Sequence, residues 1–135
     1  MKYTNQNRGI IQNRERARQI IDFSGIRYGN ITPTDMDGFF EYHNQAFAFY
    51  EFKLFGGEFP RGQRVALQRV VDAITDAQKE AVIFLCRHSA FEPRDDIMAQ
   101  DAIVEEIYYR GQWRKGDGRT AKEYTDGFMN WVCGA

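Results

Sequence analysis

A chain of 135 residues, 43% of them hydrophobic and 15% aromatic, is long enough for one substantial core and too short for two ordinary domains, so a single domain over residues 1–135 is expected. Its net charge of −1 argues against a protein that coats nucleic acid by bulk attraction. No apolar run approaches the roughly 20 residues of a membrane-spanning helix, and the charged N-terminal stretch lacks a secretory signal, so a cytoplasmic protein without a membrane partner is expected.

Residues 14–23 place Ala17, Ile20, Ile21 and Ser24 on one side at helical spacing, with Gly25 as a stop, which predicts a first, basic helix. Residues 37–42 and 46–54 are aromatic-rich and separated by His43-Asn44-Gln45, a turn candidate, so they read as a β-hairpin. After Gly56-Gly57 and Pro60, the positions Ala66, Leu67, Val70, Val71, Ile74 and Ala77 recur at amphipathic spacing and predict a helix over 61–79. Residues 81–87 form a short, continuous apolar run and read as a buried central strand. Cys86 lies inside that run as a small hydrophobe, and with only Cys133 besides it, neither a zinc site nor a disulfide framework is expected. Residues 103–109 read as a further strand, Arg110-Gly111-Gln112-Trp113 as a turn into a short return, and Thr120-Ala121-Lys122-Glu123 as a capping box opening a last helix through Trp131. The expected fold class is therefore α/β: a small sheet with helices on both sides and β-β-α-β at its centre.

Charge is unevenly spread over these elements. Residues 1–30 carry six basic and two acidic side chains, residues 31–58 carry Lys53 against Asp35, Asp37, Glu41, Glu51 and Glu58, and residues 59–87 return to a net +2. An acidic island on the hairpin thus lies between basic neighbours. That layout suits a cation held by carboxylates while surrounding Arg and Lys hold a polyanion.

The hairpin carries the chemistry. Side chains alternate across a strand, so Glu51 and Lys53 project to one face while Phe52 goes to the other, and Asp37 at the start of the preceding strand lies beside them if the hairpin pairs. Two carboxylates and an ammonium then converge, a cluster with a chemical use in phosphodiester hydrolysis. Mg²⁺ takes oxygen ligands and keeps several waters, so Asp37 and Glu51 would be its protein ligands, the Phe52 backbone carbonyl a third oxygen, and Lys53 the group that orients or helps deprotonate water. A Glu-x-Lys tripeptide by itself is an ordinary charged pair on a strand face. What singles this one out is the preceding Pro33-Thr34-Asp35-Met36-Asp37-Gly38, the hairpin spacing, and the apolar residues around both carboxylates.

On these residues the segment resembles the PD-(D/E)XK nuclease superfamily, and the Pro-Thr-Asp-x-Asp-Gly form resembles small nuclease-like proteins of phages and mobile elements. The resemblance covers roughly residues 13–88. It implies a restriction-endonuclease-like core, in the order α-β-β-β-α-β followed by an extra hairpin and a C-terminal helix. It also implies Mg²⁺ or Mn²⁺ as cofactor, DNA as partner, and the host cytosol as compartment for a phage-encoded chain. The family's metal-binding Asp maps onto Asp37, with Asp35 as the competing choice; its second acidic residue maps onto Glu51 and its lysine onto Lys53. Asp37 is preferred because it directly enters the apolar strand, whereas Asp35 follows Pro33-Thr34 in a turn. A glutamine early in the next helix, often after glycine, matches Gly62-Gln63, and periodicity places Gln63 on that helix's inward stripe, where its amide would reach a water or substrate phosphate as a further catalytic residue. A Glu from the first helix would be Glu15, which falls nearly opposite Ala17 and Ile21 and reaches a metal only if that side packs toward the hairpin.

The remaining polar and aromatic residues have bland defaults. His43 falls in the hairpin turn and His88 ends the apolar strand. Arg61, Arg64 and Gln68 share an outer, solvated side of the long helix, and Tyr108, Tyr109, Trp113 and Trp131 are base-stacking candidates for which core packing is the default. Two functions compete: a metal-dependent nuclease acting on DNA, and a catalytically silent nuclease-like module that binds nucleic acid or a protein. A homodimer or a larger partner is compatible with so small a core.

Overall fold

In the computed structural model, which describes residues 19–134, the chain divides into two units, residues 1–33 and residues 34–135. In the first, the Ser24 N–H donates to Asp22 Oδ1 at 2.9 Å, and Tyr28 and Ile31 exchange backbone hydrogen bonds of 2.9 and 3.0 Å around Gly29 at φ 61°. Residues 19–23 are not helical, which corrects the helix expected over 14–23; residues 14–18 lie outside the described residues. Short polar side chains at 22 and 24 offer the backbone a turn in place of a helical ladder. Ile20 and Ile21, expected on a packed stripe, are exposed.

The second unit runs β1 (Gly38–Tyr42), β2 (Ala46–Leu54), α1 (Arg61–Asp76), β3 (Glu80–His88), β4 (Ile103–Tyr109), β5 (Gln112–Lys115) and α2 (Ala121–Val132). The five strands form one sheet in sequence order. The β2–β3 pair is parallel, because α1 carries the chain back between them, and the other neighbours are antiparallel. The β1–β2 turn closes with the Gln45 N–H on the Tyr42 carbonyl at 2.8 Å, and His43 and Asn44 both take positive φ, the geometry whose twist suits a tight hairpin. Only two strands precede α1 among the described residues, which corrects the three implied by the α-β-β-β-α-β order. One hairpin and its exit loop fill the stretch between Pro33 and Pro60.

Alternation along β2 and β3 divides the core between the two sheet faces. On one face, Leu67 and Val71 of α1 bury Phe49, Ala81, Ile83, Leu85 and Tyr108. On the other, Ala121 and Phe128 of α2 close over Ala48, Val82, Phe84 and Cys86. Helices therefore flank the sheet on both sides, as the two apolar periodicities require. Burial pushes the Cys86 thiol up to about 12, so it stays an inert hydrophobe. The α2 capping box forms as expected: the Thr120 side chain accepts from the Glu123 N–H at 3.2 Å while the Thr120 N–H donates to Glu123 Oε1 at 3.0 Å. Among the described residues no helix is long and apolar enough to cross a membrane.

Candidate functional site

The antiparallel register sets Gly38 opposite Tyr50, so Asp37, one residue before β1, meets Glu51. The Asp37 N–H donates to Glu51 Oε1 at 3.3 Å, and the Phe52 N–H donates to Asp37 Oδ2 at 2.8 Å. Each carboxylate is thus oriented by a backbone N–H of the other strand. Phe52 lies two residues past the end of the β1 pairing, and a strand residue directs its N–H and C=O to the same neighbour, so the Phe52 carbonyl points to the side on which Asp37 sits. Glu51 and Lys53 share the α1 face of β2 with Phe47 and Phe49, as alternation predicts.

Electrostatics distinguish the two acids. Glu51 is 1% exposed, whereas Asp35 and Asp37 are exposed. Burial, with the Asp37 and Asp35 charges adding to it, raises the Glu51 carboxyl from 4.5 to about 7. Lys53 is half-buried and makes no hydrogen bond or ion pair with either carboxylate, so its ammonium does not neutralise the pair. The structure therefore brings Asp37 and Glu51 together and sets Lys53 on their face without contact. Gln63, in the first turn of α1, donates from Nε2 to the Asp35 carbonyl at 3.2 Å and ties the helix to the segment that bears the acids. Glu15 lies outside the described residues.

Two exposed or buried carboxylates and a backbone oxygen are hard donors, the set from which Mg²⁺ is bound with most of its waters retained, so the residues present fit such an ion. Among the described residues no group of three or more His, Cys, Asp and Glu side chains is placed to hold a metal ion.

Sequence reasoning missed Arg87, the partner of Lys53 in the β2–β3 register. Its Nε donates to Glu105 Oε2 at 2.8 Å, its Nη1 to the carbonyls of Leu54 and Gly57, and its guanidinium lies 4.5 Å from the centre of the Phe59 ring. One residue thus fastens the loop that leads from Lys53 to the helix of Gln63. The available signal was a charge closing an otherwise apolar strand. Arg87 also borders a cleft of about 570 Å³, shared with Phe55, Gly56, Glu105 and Lys115 and lined by none of the three acids.

The long helix also presents itself differently from expectation. Arg64 pairs with Glu106 at 3.2 Å and stacks 4.5 Å over Trp113, while Gln68 accepts from Trp113 Nε1 at 3.1 Å, so both reach across to β4 and β5 and only Arg61 of the three keeps an exposed side. Of the four aromatics, Tyr108 is core and donates to Asp72 at 2.5 Å, Trp113 and Tyr109 are half-buried, and Trp131 is 62% exposed.

Compared with protein-family models, curated proteins and solved structures, the chain matches none.

Proposed function

We propose that the chain is a metal-dependent nuclease of the PD-(D/E)XK kind that hydrolyses phosphodiester bonds in DNA. The observation that carries this reading is the Glu51 carboxyl, 1% exposed and set against Asp37, with neither acid ion-paired to a cationic side chain among the described residues. Holding two acids together in that way is costly, and the cost is relieved either by a proton on Glu51 or by a cation between them. Asp37, Glu51 and the Phe52 carbonyl would hold Mg²⁺ or Mn²⁺. When bound, the ion supplies Lewis acidity toward a phosphate and the water that attacks it. Lys53 orients that water, assists its deprotonation and stabilises charge growing on the phosphate oxygens; its lack of an ion pair leaves it free to do so. Gln63 holds the Asp35 segment against α1 and keeps the acids in register. Exposed Asp35 and Asp37 leave the site open at the sheet edge, as a polymeric substrate needs.

Thermal melts with and without Mn²⁺ or Mg²⁺ test the ion site. Metal at about 100 times its Kd is expected to stabilise the wild type by about 2.7 kcal/mol, a rise of several degrees, and Asp37→Asn to abolish the gain. Equal gains in both proteins would remove Asp37 from any metal role and with it the paired-carboxylate site.

A further inference from the structure

On the sheet face opposite the carboxylates, a groove of about 310 Å³ runs between β3, β4, β5 and α2 and is lined by Phe84, Tyr109, Tyr124, Trp131, Arg114 and Arg119 among others. Trp131 is the anomaly in it. An indole 62% exposed gains little from packing, yet this one is held in place: its Nε1 donates to Tyr109 Oη at 3.1 Å, Tyr109 donates to Glu80, and Arg110 pairs with Glu80 at 2.8 Å. Arg110 further lies 5.1 Å from the Tyr109 ring centre and 5.9 Å from that of Trp131. A chain of hydrogen bonds and cation–π contacts therefore fixes a large aromatic face toward solvent, which is pre-organisation without burial.

The opposite wall repeats the theme. Arg119 stacks 4.5 Å from the Tyr124 ring centre and pairs with Asp117 at 2.9 Å. Arg114 is exposed and, among the described residues, hydrogen-bonds only to the Gln112 side-chain oxygen, at 3.1 Å, with no carboxylate partner there. An apolar peptide would offer Arg114 backbone carbonyls but no charge to balance its own. A nucleotide supplies what both walls lack, a flat ring for the indole and a phosphate for the free guanidinium.

We propose that this groove binds single-stranded nucleic acid, with a base stacked on Trp131 and a backbone phosphate on Arg114. Binding there requires neither metal nor the acids of β1 and β2.

The test is fluorescence anisotropy of a labelled oligothymidylate of about 12 nucleotides, within the usual single-strand site size, in EDTA so that cutting does not enter the readout. Trp131→Ala is expected to weaken binding roughly 5- to 100-fold, as loss of a stacked base does, and Trp131→Phe, which lacks the indole N–H but keeps a ring, to recover most of it. Arg114→Ala is expected to weaken binding and to lower the slope of log K against log salt by about 0.7, one single-strand phosphate contact. Melting temperatures of the variants check that exposed Trp131 and Arg114 are not needed for folding. Affinity unchanged in Trp131→Ala, no binding by the wild type, or a mononucleotide binding as tightly as the oligomer would each overturn the proposal. None of these results bears on whether the chain cuts.

Discussion

Glu51 occupies a position where a leucine or valine would satisfy the core and where an acid is costly. Its neighbours on the α1 face are Phe47 and Phe49, and the nearest polar groups are the Asp37 N–H and carboxylate. Because burial and the Asp37 charge raise its carboxyl from 4.5 to about 7, the folded metal-free protein holds a proton that the unfolded chain has released between those values. Stability from this group is therefore complete below pH 4.5 and declines as pH rises through 7, by on the order of 3 kcal/mol at about 1.4 kcal/mol per pKa unit. Urea unfolding of the metal-free protein at pH 5 and pH 8 is expected to show that decline, and Glu51→Gln to flatten it, making the variant the more stable of the two at pH 8. A wild-type stability that rises over this interval in parallel with the variant's would mean that Glu51 ionises normally. The exposed or buried state of these residues was only partly legible beforehand. Alternation put Glu51 and Lys53 on one face, but that Glu51 sits sealed while Lys53 stays unpaired depends on the α1 packing, which a tripeptide does not encode. Arg87 was missed for the same reason, since all four of its partners lie about 30 residues away or in the next strand.

The elements were legible where local signals agreed with tertiary packing. The expected bounds of β2 and β4 are met, and the Thr120 capping box forms. The end of α1 was not, because its apolar period continues to Ala77 while the backbone turns earlier. Gln78 adopts φ 68°, with the Gln78 N–H on the Thr75 carbonyl at 3.0 Å and the Lys79 N–H on the Ile74 carbonyl at 3.3 Å. That is a Schellman stop with glutamine in the left-handed position that glycine usually takes, so the residue-type signal for termination was absent. Gln78→Gly is expected to raise stability by about 0.5–1 kcal/mol by relieving the positive φ. A melt in which the variant is less stable than wild type would show that the Gln78 side chain supports the stop.

At the scale of the whole molecule, the sheet separates two surfaces. The acids lie at the β1–β2 edge on the α1 face, and the Trp131 groove lies over β3 to β5 on the α2 face. The α/β class, the helices on both faces and the position of the acidic hairpin follow from periodicities in the sequence. The third strand before α1 is not found among the described residues; it came from the family resemblance and not from any apolar run between Pro33 and Pro60. The first helix also fails over 19–23, where an apolar stripe exists in sequence but Ile20 and Ile21 are exposed. Cleavage tests the central claim most directly: single-stranded, duplex and branched DNA are incubated with Mg²⁺ or Mn²⁺ and either wild type or Lys53→Ala. Metal-dependent cutting by the wild type that is lost in Lys53→Ala, with the metal-induced rise in melting temperature retained, is the expected result. Wild type that binds neither metal nor DNA, or equal cutting by both proteins, would contradict the assignment of Asp37, Glu51 and Lys53 as a nuclease site.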